Sequence, residues 1–196
     1  IGRRLPAGHE AVVATQSYTE VSYGPLGLEL LRAGKNPEQA LAELVAADDD
    51  SAYRQVAILD AAGSVAVHVG EACIPAAGFA VGDGFSAQAN MVDSERVWQS
   101  MAEAFQHLEG PLAERLLAAL DAAEAAGGDW RGRQAGGILV VGPEGQPWER
   151  DVDLRPRRVV EAVVGTAGDG ARADEFVACV TGTGRQRRCG ANGEGL

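Results

Sequence analysis

The sequence predicts an α+β fold with antiparallel sheets, arranged as a four-layer αββα sandwich. Three observations lead there. The elements read in the order strand, helix, helix, three strands, helix, helix, two strands, so helices arrive in pairs between runs of strands. Each helix carries one apolar stripe that needs a sheet to cover it, and two sheets with two helix pairs bury every such stripe when the helices lie outside. Finally, 46% of the 196 residues are hydrophobic while only 5% are aromatic, which suits close packing of small side chains.

The first strand is read over residues 11–16, Ala-Val-Val-Ala-Thr-Gln. Pro25 fits the first turn of a short helix, Leu26 to Ala33, with Gly34 as its stop. Asn36-Pro37-Glu38-Gln39 is an N-cap signature with proline in the first helical position, opening a helix whose apolar face is Ala40, Leu41, Leu44 and Val45. The acidic run Asp48-Asp49-Asp50 reads as a solvated loop. Residues 54–60 and 64–69 flank Ala61-Ala62-Gly63 and form a hairpin. Gly78, Gly82 and Asp83-Gly84 mark a glycine-rich connection into a third strand, Phe85 to Met91. Ser94 caps a helix to His107 with Val97, Met101, Ala104, Phe105 and Leu108 at spacings of three and four. Pro111 opens another, Leu112 to Ala126, facing the core with Leu116, Leu117 and Leu120. Strands at residues 138–141 and 148–154 follow.

The formal charge of −11 argues against a nucleic-acid or anionic-membrane surface, since phosphate binding needs clustered Lys and Arg. No apolar run approaches the roughly 20 residues of a membrane span, and no signal-peptide pattern opens the chain, so a cytoplasmic location is expected. Cys73, Cys179 and Cys189 are odd in number and widely spaced, which fits neither a disulfide framework nor zinc. No metal or other cofactor is expected. Residues 1–154 hold 10 basic and 23 acidic side chains, net −13, whereas residues 155–196 hold 7 and 5, net +2. We read the first part as the domain and the second as a weakly ordered Arg/Gly-rich tail.

The stretch Gly127-Gly128-Asp129-Trp130-Arg131-Gly132-Arg133-Gln134 joins the last helix to a strand and places one acid beside two guanidinium groups. His9, His68 and His107 show no Ser-His-Asp spacing and are read as structural. Polar residues at predicted strand ends form the candidate site: Thr15, Gln16, Arg54, Glu71, Gln88, Asn90, Asp129, Arg131 and Arg133, with Cys73 at the margin as a buried thiol. Amide and guanidinium groups together suit a carboxylate or amide ligand, or a developing oxyanion. Asp129, Gln88 and Asn90 are the expected catalytic group; Arg131, Arg133, Thr15, Gln16, Arg54, Glu71 and Cys73 are expected to bind substrate. All are expected around one shared pocket.

The segments Ala14-Thr15-Gln16-Ser17, Ser22-Tyr23-Gly24-Pro25, Arg54-Gln55-Val56, Gly70-Glu71-Ala72-Cys73, Gln88-Ala89-Asn90-Met91 and residues 128–134 resemble, in order, the family catalogued as domain of unknown function 1028. That family is grouped with the N-terminal-nucleophile (Ntn) hydrolases. The resemblance implies their αββα sandwich and attack on an amide by an N-terminal Thr, Ser or Cys, whose own α-amino group is the base. It also implies two further strands before residue 11 and a nucleophile that Ile1 does not provide, so the domain is expected to be incomplete at its start. The expected activity of the full-length form is hydrolysis of an amide bond in a small molecule or peptide. The competing expectation is a non-catalytic binder of a small acidic metabolite or a cell-wall peptide. A homo-oligomer or a strand-donating partner chain would cover the sheet edge such a gap leaves.

Overall fold

The computed structural model describes residues 11–132 throughout, and the backbone of four later strands, residues 138–141, 147–150, 162–166 and 176–177. The fold is mixed α+β with antiparallel sheets. Strands β1 (Ala11–Ser17), β2 (Arg54–Asp60) and β3 (Val65–Val69) form one sheet in that order. Helices α1 (Tyr23–Arg32) and α2 (Pro37–Ala46) pack on it. A second sheet has the order β4 (Gly78–Gly82), β5 (Phe85–Ala89), β8 (Ala162–Thr166), and α3 (Arg96–His107) and α4 (Leu112–Ala125) pack against it. A third pairs β7 (Pro147–Arg150), β6 (Ile138–Val141) and β9 (Phe176–Val177).

Strand alternation divides the interior. On β1 and β2, Val13, Val56 and Ile58 turn toward α1 and α2, where they pack with Leu28, Leu41 and Leu44. On β5, Phe85, Ala87 and Ala89 turn toward α3 and α4 and join Val97, Met101, Phe105 and Leu116. Each sheet therefore has its own helix-covered core. The residues between, Gln55 and Ala57 on β2 and Ser86 and Gln88 on β5, must project from the opposite faces. Those faces meet: the Gln55 Nε2 donates to the backbone oxygens of Gly78 (3.0 Å) and Ala89 (3.1 Å) in the other sheet.

Local chemistry accounts for most element ends. Asn36 Oδ1 accepts from the Gln39 N–H (2.9 Å) and Gln39 Oε1 from the Asn36 N–H (3.1 Å), a reciprocal box that starts α2 as its sequence predicts. Helix α1 begins at Tyr23, three residues before the expected Leu26 and with Pro25 in its first turn, and α3 begins at Arg96 with no side-chain cap from Ser94. The glycine-rich connection is itself a strand. A Cβ on Gly78 would strike the Trp98 indole and one on Gly82 the Phe85 ring, so these glycines permit close packing within β4. Two short strands fall within the stretch read as a tail. Ala162–Thr166 pairs with β5 and Phe176–Val177 with β6; its other residues lie outside the described ones.

The acidic run is not simply solvated. Arg54 is 5% exposed, its Nε donates to Asp48 Oδ2 (2.7 Å), and Nη1 donates to the Tyr18 carbonyl (2.6 Å). The Tyr23 hydroxyl donates to the same Asp48 carboxylate at 2.9 Å. The Arg54 hydrogen bond is the main cause that lowers the Asp48 pKa to about 2, whereas burial, and next the bond to Asp48, raises that of Tyr23. A carboxyl with a depressed folded pKa stabilises the fold above its unfolded value near 3.8 and ceases to do so as pH falls toward 2. Asp48→Asn removes the nearest of the three acids around the buried Arg54 guanidinium, leaving Glu20 at 3.9 Å and Asp50 at 3.7 Å, and should cost about 2 kcal/mol. Urea titrations at pH 7 and across pH 4 to 2 check this: the wild type loses stability over that interval, and the variant loses much less.

Candidate functional site

Five uncharged polar side chains lie between the two sheets, each no more than 2% exposed: Gln16, Gln55, Ser86, Gln88 and Asn90. Contact surfaces between sheets are ordinarily apolar, and a buried amide without partners costs about 1–3 kcal/mol. Gln16 and Gln55 are direct cross-strand neighbours on β1 and β2. Gln88 sits near the end of β5, and Asn90 follows it.

The directions of the hydrogen bonds follow from Gln55. Its NH2 group rests on two backbone carbonyls, which only accept, so its Oε1 faces the other way as an acceptor. Gln16 Nε2 (2.5 Å) and Asn90 Nδ2 (3.0 Å) both donate to that oxygen. Exchanging O and N in either amide would set two acceptors against each other, so both orientations are fixed. The Gln16 Oε1 and Asn90 Oδ1 oxygens are thereby turned away from Gln55. Both are buried with no hydrogen-bond partner among the described residues. Gln88 Nε2 donates to Ser86 Oγ at 2.5 Å.

The other expected site residues are distributed elsewhere, and strand period is the reason. Thr15 and Arg54 are each one residue from Gln16 and Gln55, so they emerge on the helix-covered side. Arg54 is there held by Asp48 and Tyr18 and lies over the Tyr18 ring at 4.7 Å. Thr15 Oγ1 is buried and unpartnered, away from the amides. Cys73 is buried, with its thiol donating to the Arg54 carbonyl at 3.3 Å, and Glu71 is exposed.

Asp129 forms an antiparallel bridge with Val92, and the Trp130 N–H donates to the Met91 carbonyl (3.1 Å). Residues opposite one another in such a bridge project to the same side. Val92 belongs to the α3–α4 core because Met91, at φ 56°, reverses the facing of the chain after Asn90. Asp129 thus accompanies Val92 rather than Asn90. Its fully buried carboxylate accepts from the Arg131 backbone N–H (2.8 Å) and Nε (2.9 Å), and from Nη2. Positive φ at Gly127 and Gly128 lets the loop turn back onto Asp93. Arg133 lies outside the described residues. The candidates named here fall in three places: the amides between the sheets, Arg54 with Asp48 beneath the helices, and the Asp129–Arg131 pair at the loop. Gln55, missed in the sequence, is the centre of the first; its place beside Arg54 on a strand of otherwise apolar residues was the available signal.

Among the described residues no group of three or more His, Cys, Asp or Glu is placed to hold a metal ion. No helix among them is long and apolar enough to cross a membrane. A shallow concavity between α3 and α4, lined by Arg96, Ser100, Glu103 and His107, is remote in the fold from the amides.

Residues 1–163 match the family described as a family of unknown function, DUF1028, and the chain belongs to that family. A crystal structure of a DUF1028 protein from Silicibacter pomeroyi is similar, with 34% identity and a TM-score of 0.57 over 59% of this chain and 54% of that one. The match therefore spans about half the length of that solved relative. No curated protein matches the chain.

Truncation of Gln55 to Ala strips both inter-sheet donors and leaves the Gln16 and Asn90 amides without their acceptor, so it should destabilise the fold by about 3 kcal/mol or more. Gln88→Ala removes one contact to Ser86 and should cost about 1 kcal/mol. Paired chemical-denaturation curves measure the difference; equal losses would show that Gln55 is not the bridge.

Proposed function

We propose that this chain contributes the binding half of an Ntn-hydrolase-like αββα sandwich whose full-length form hydrolyses an amide bond, with the substrate seated between the sheets. The observation that carries this reading is the uncharged amide group of Gln16, Gln55, Gln88 and Asn90, buried where a packing core would be apolar. The order of layers supports it: α1 and α2 cover the first sheet, α3 and α4 the second, and Gln55 reaches from one sheet to the other. DUF1028 is a family of unknown function, so the reaction type in this reading comes from the resemblance to the Ntn hydrolases alone.

In this reading the nucleophile is the hydroxyl or thiol of a Thr, Ser or Cys at the mature N-terminus, and its α-amino group takes the proton. Gln88 and Asn90 each commit one N–H, to Ser86 and Gln55, and direct the second toward the oxyanion that develops as the amide carbon becomes tetrahedral. Asp129 acts at one remove, fixing the Arg131 loop beside the chain segment that carries Asn90. The alternative, a binder of acidic metabolites or cell-wall peptides through arginines, has less support, because Arg54 and Arg131 already face carboxylates.

Two measurements test the proposal on the full-length protein. Sequencing of the mature natural product should find Thr, Ser or Cys first; any other residue removes the hydrolase mechanism. Asn90→Ala and Gln88→Ala should lower kcat/KM for amide cleavage by about 10²–10³ while circular dichroism remains native. Wild-type turnover in both variants would remove the oxyanion assignment.

A further inference from the structure

The inter-sheet site holds two buried carbonyl oxygens that no donor among the described residues meets, and this indicates what it takes. Gln16 is 2% exposed and Asn90 is fully buried, yet Gln16 Oε1 and Asn90 Oδ1 have no partner among the described residues. The hydrogen-bond chain through Gln55 prevents either amide from turning to offer its NH2 instead. Reversing Gln16 or Asn90 would bring oxygen against the Gln55 Oε1, and reversing Gln55 would bring it against the carbonyls of Gly78 and Ala89. Two acceptors are thus held in place by backbone groups of the second sheet.

Charge narrows the ligand further. The five buried side chains of this layer carry no formal charge, and the buried Asp129 and Arg54 are occupied by Arg131 and Asp48. Among the described residues a carboxylate brought between the sheets would meet those two oxygens and no cation, and an ammonium group would meet no anion; either is costly to desolvate. A neutral N–H donor incurs neither cost.

The second sheet also has an exposed apolar flank on the face that carries Gln88. Phe79 and Val81 on β4 pair with Gln88 and Ser86 on β5, so all four side chains leave the same face. Gln88 and Ser86 are 1% and 2% exposed, whereas Phe79 and Val81 are 44% and 51% exposed. The face is covered over β5 and open over β4. Ile74, 49% exposed, adjoins through its carbonyl, which accepts from the Met91 N–H. An apolar rim beside buried neutral acceptors suits a ligand with an apolar body and an amide head.

We propose that the inter-sheet site selects an uncharged carboxamide, a primary amide or a peptide N–H, through Gln16 Oε1 and Asn90 Oδ1, and rejects the isosteric carboxylate. This deepens the amide-hydrolase reading and rests on its placement of the substrate between the sheets.

The test compares propanamide and N-acetylglycinamide with propanoate on the wild-type full chain. Side-chain carbonyl 13C shifts of Gln16 and Asn90 report occupancy. The amides should shift both carbonyls and bind at least about ten-fold tighter than the carboxylate, since a buried acceptor left facing another acceptor forfeits its hydrogen bond. Gln16→Met keeps the length of the side chain without its oxygen, and should lose about ten-fold in amide affinity. If that variant does not fold, the wild-type comparison decides alone. Equal or tighter binding of propanoate, no binding of either amide, or shifts confined to other residues overturns the proposal. Amide binding without turnover of any amide leaves the selection standing and removes the hydrolase reading. Equal turnover of fully N-substituted and N–H amides does the reverse.

Discussion

The contact on which the architecture depends is one carboxamide, that of Gln55, reaching from the central strand of the first sheet to two carbonyls of the second. Helix-covered cores hold each sheet to its own helices, but they do not specify how the sheets face one another. Apolar contact is tolerant of sliding, because its strength follows area rather than direction. A buried NH2 resting on two named carbonyls is not tolerant, since a shift of one residue strands all three groups. The inter-sheet polar layer thus sets register as well as chemistry. Its neighbours inherit that order: Gln16 and Asn90 take their orientations from Gln55, and their free oxygens follow.

The two arginine–aspartate pairs perform a different service. Arg54 and Asp48 tie the end of α2 to the start of β2, with Tyr23 of α1 on the same carboxylate. Asp129 and Arg131 close the loop after α4 and bring it alongside Met91 and Val92. In both cases a fixed acid meets a planar guanidinium in a partly dry setting, where the pair gives direction to a loop. Among the described residues, the buried polar side chains between the sheets are uncharged, and these two pairs lie outside that layer.

Much of the fold was legible because its signals are local. The Asn36 and Gln39 box, the hairpin around Gly63 and the three-four spacing of Val97, Met101 and Phe105 each act within one element, and each formed as its pattern requires. Strand β4 was not legible. Gly78 and Gly82 look like punctuation in a linear reading, and only the Trp98 and Phe85 rings lying against them explain why side chains are excluded. The candidate site was half legible. Polar residues at strand ends identified Gln16, Gln88 and Asn90, but lumped them with Thr15 and Arg54. Those neighbours differ by one residue in sequence and by a whole sheet in space. Alternation was available to separate them; which face meets the other sheet was not.

Met91 has a consequence of its own. Its left-handed backbone makes the chain change sides between Asn90 and Val92, so a hydrogen-bonding amide and an apolar plug lie two residues apart in different compartments. The plug is locked among Val97, Met101 and Phe105. Anything that loosens the outer helices therefore tugs on the amide inside, which makes the helical layer a lever on the geometry of the gap.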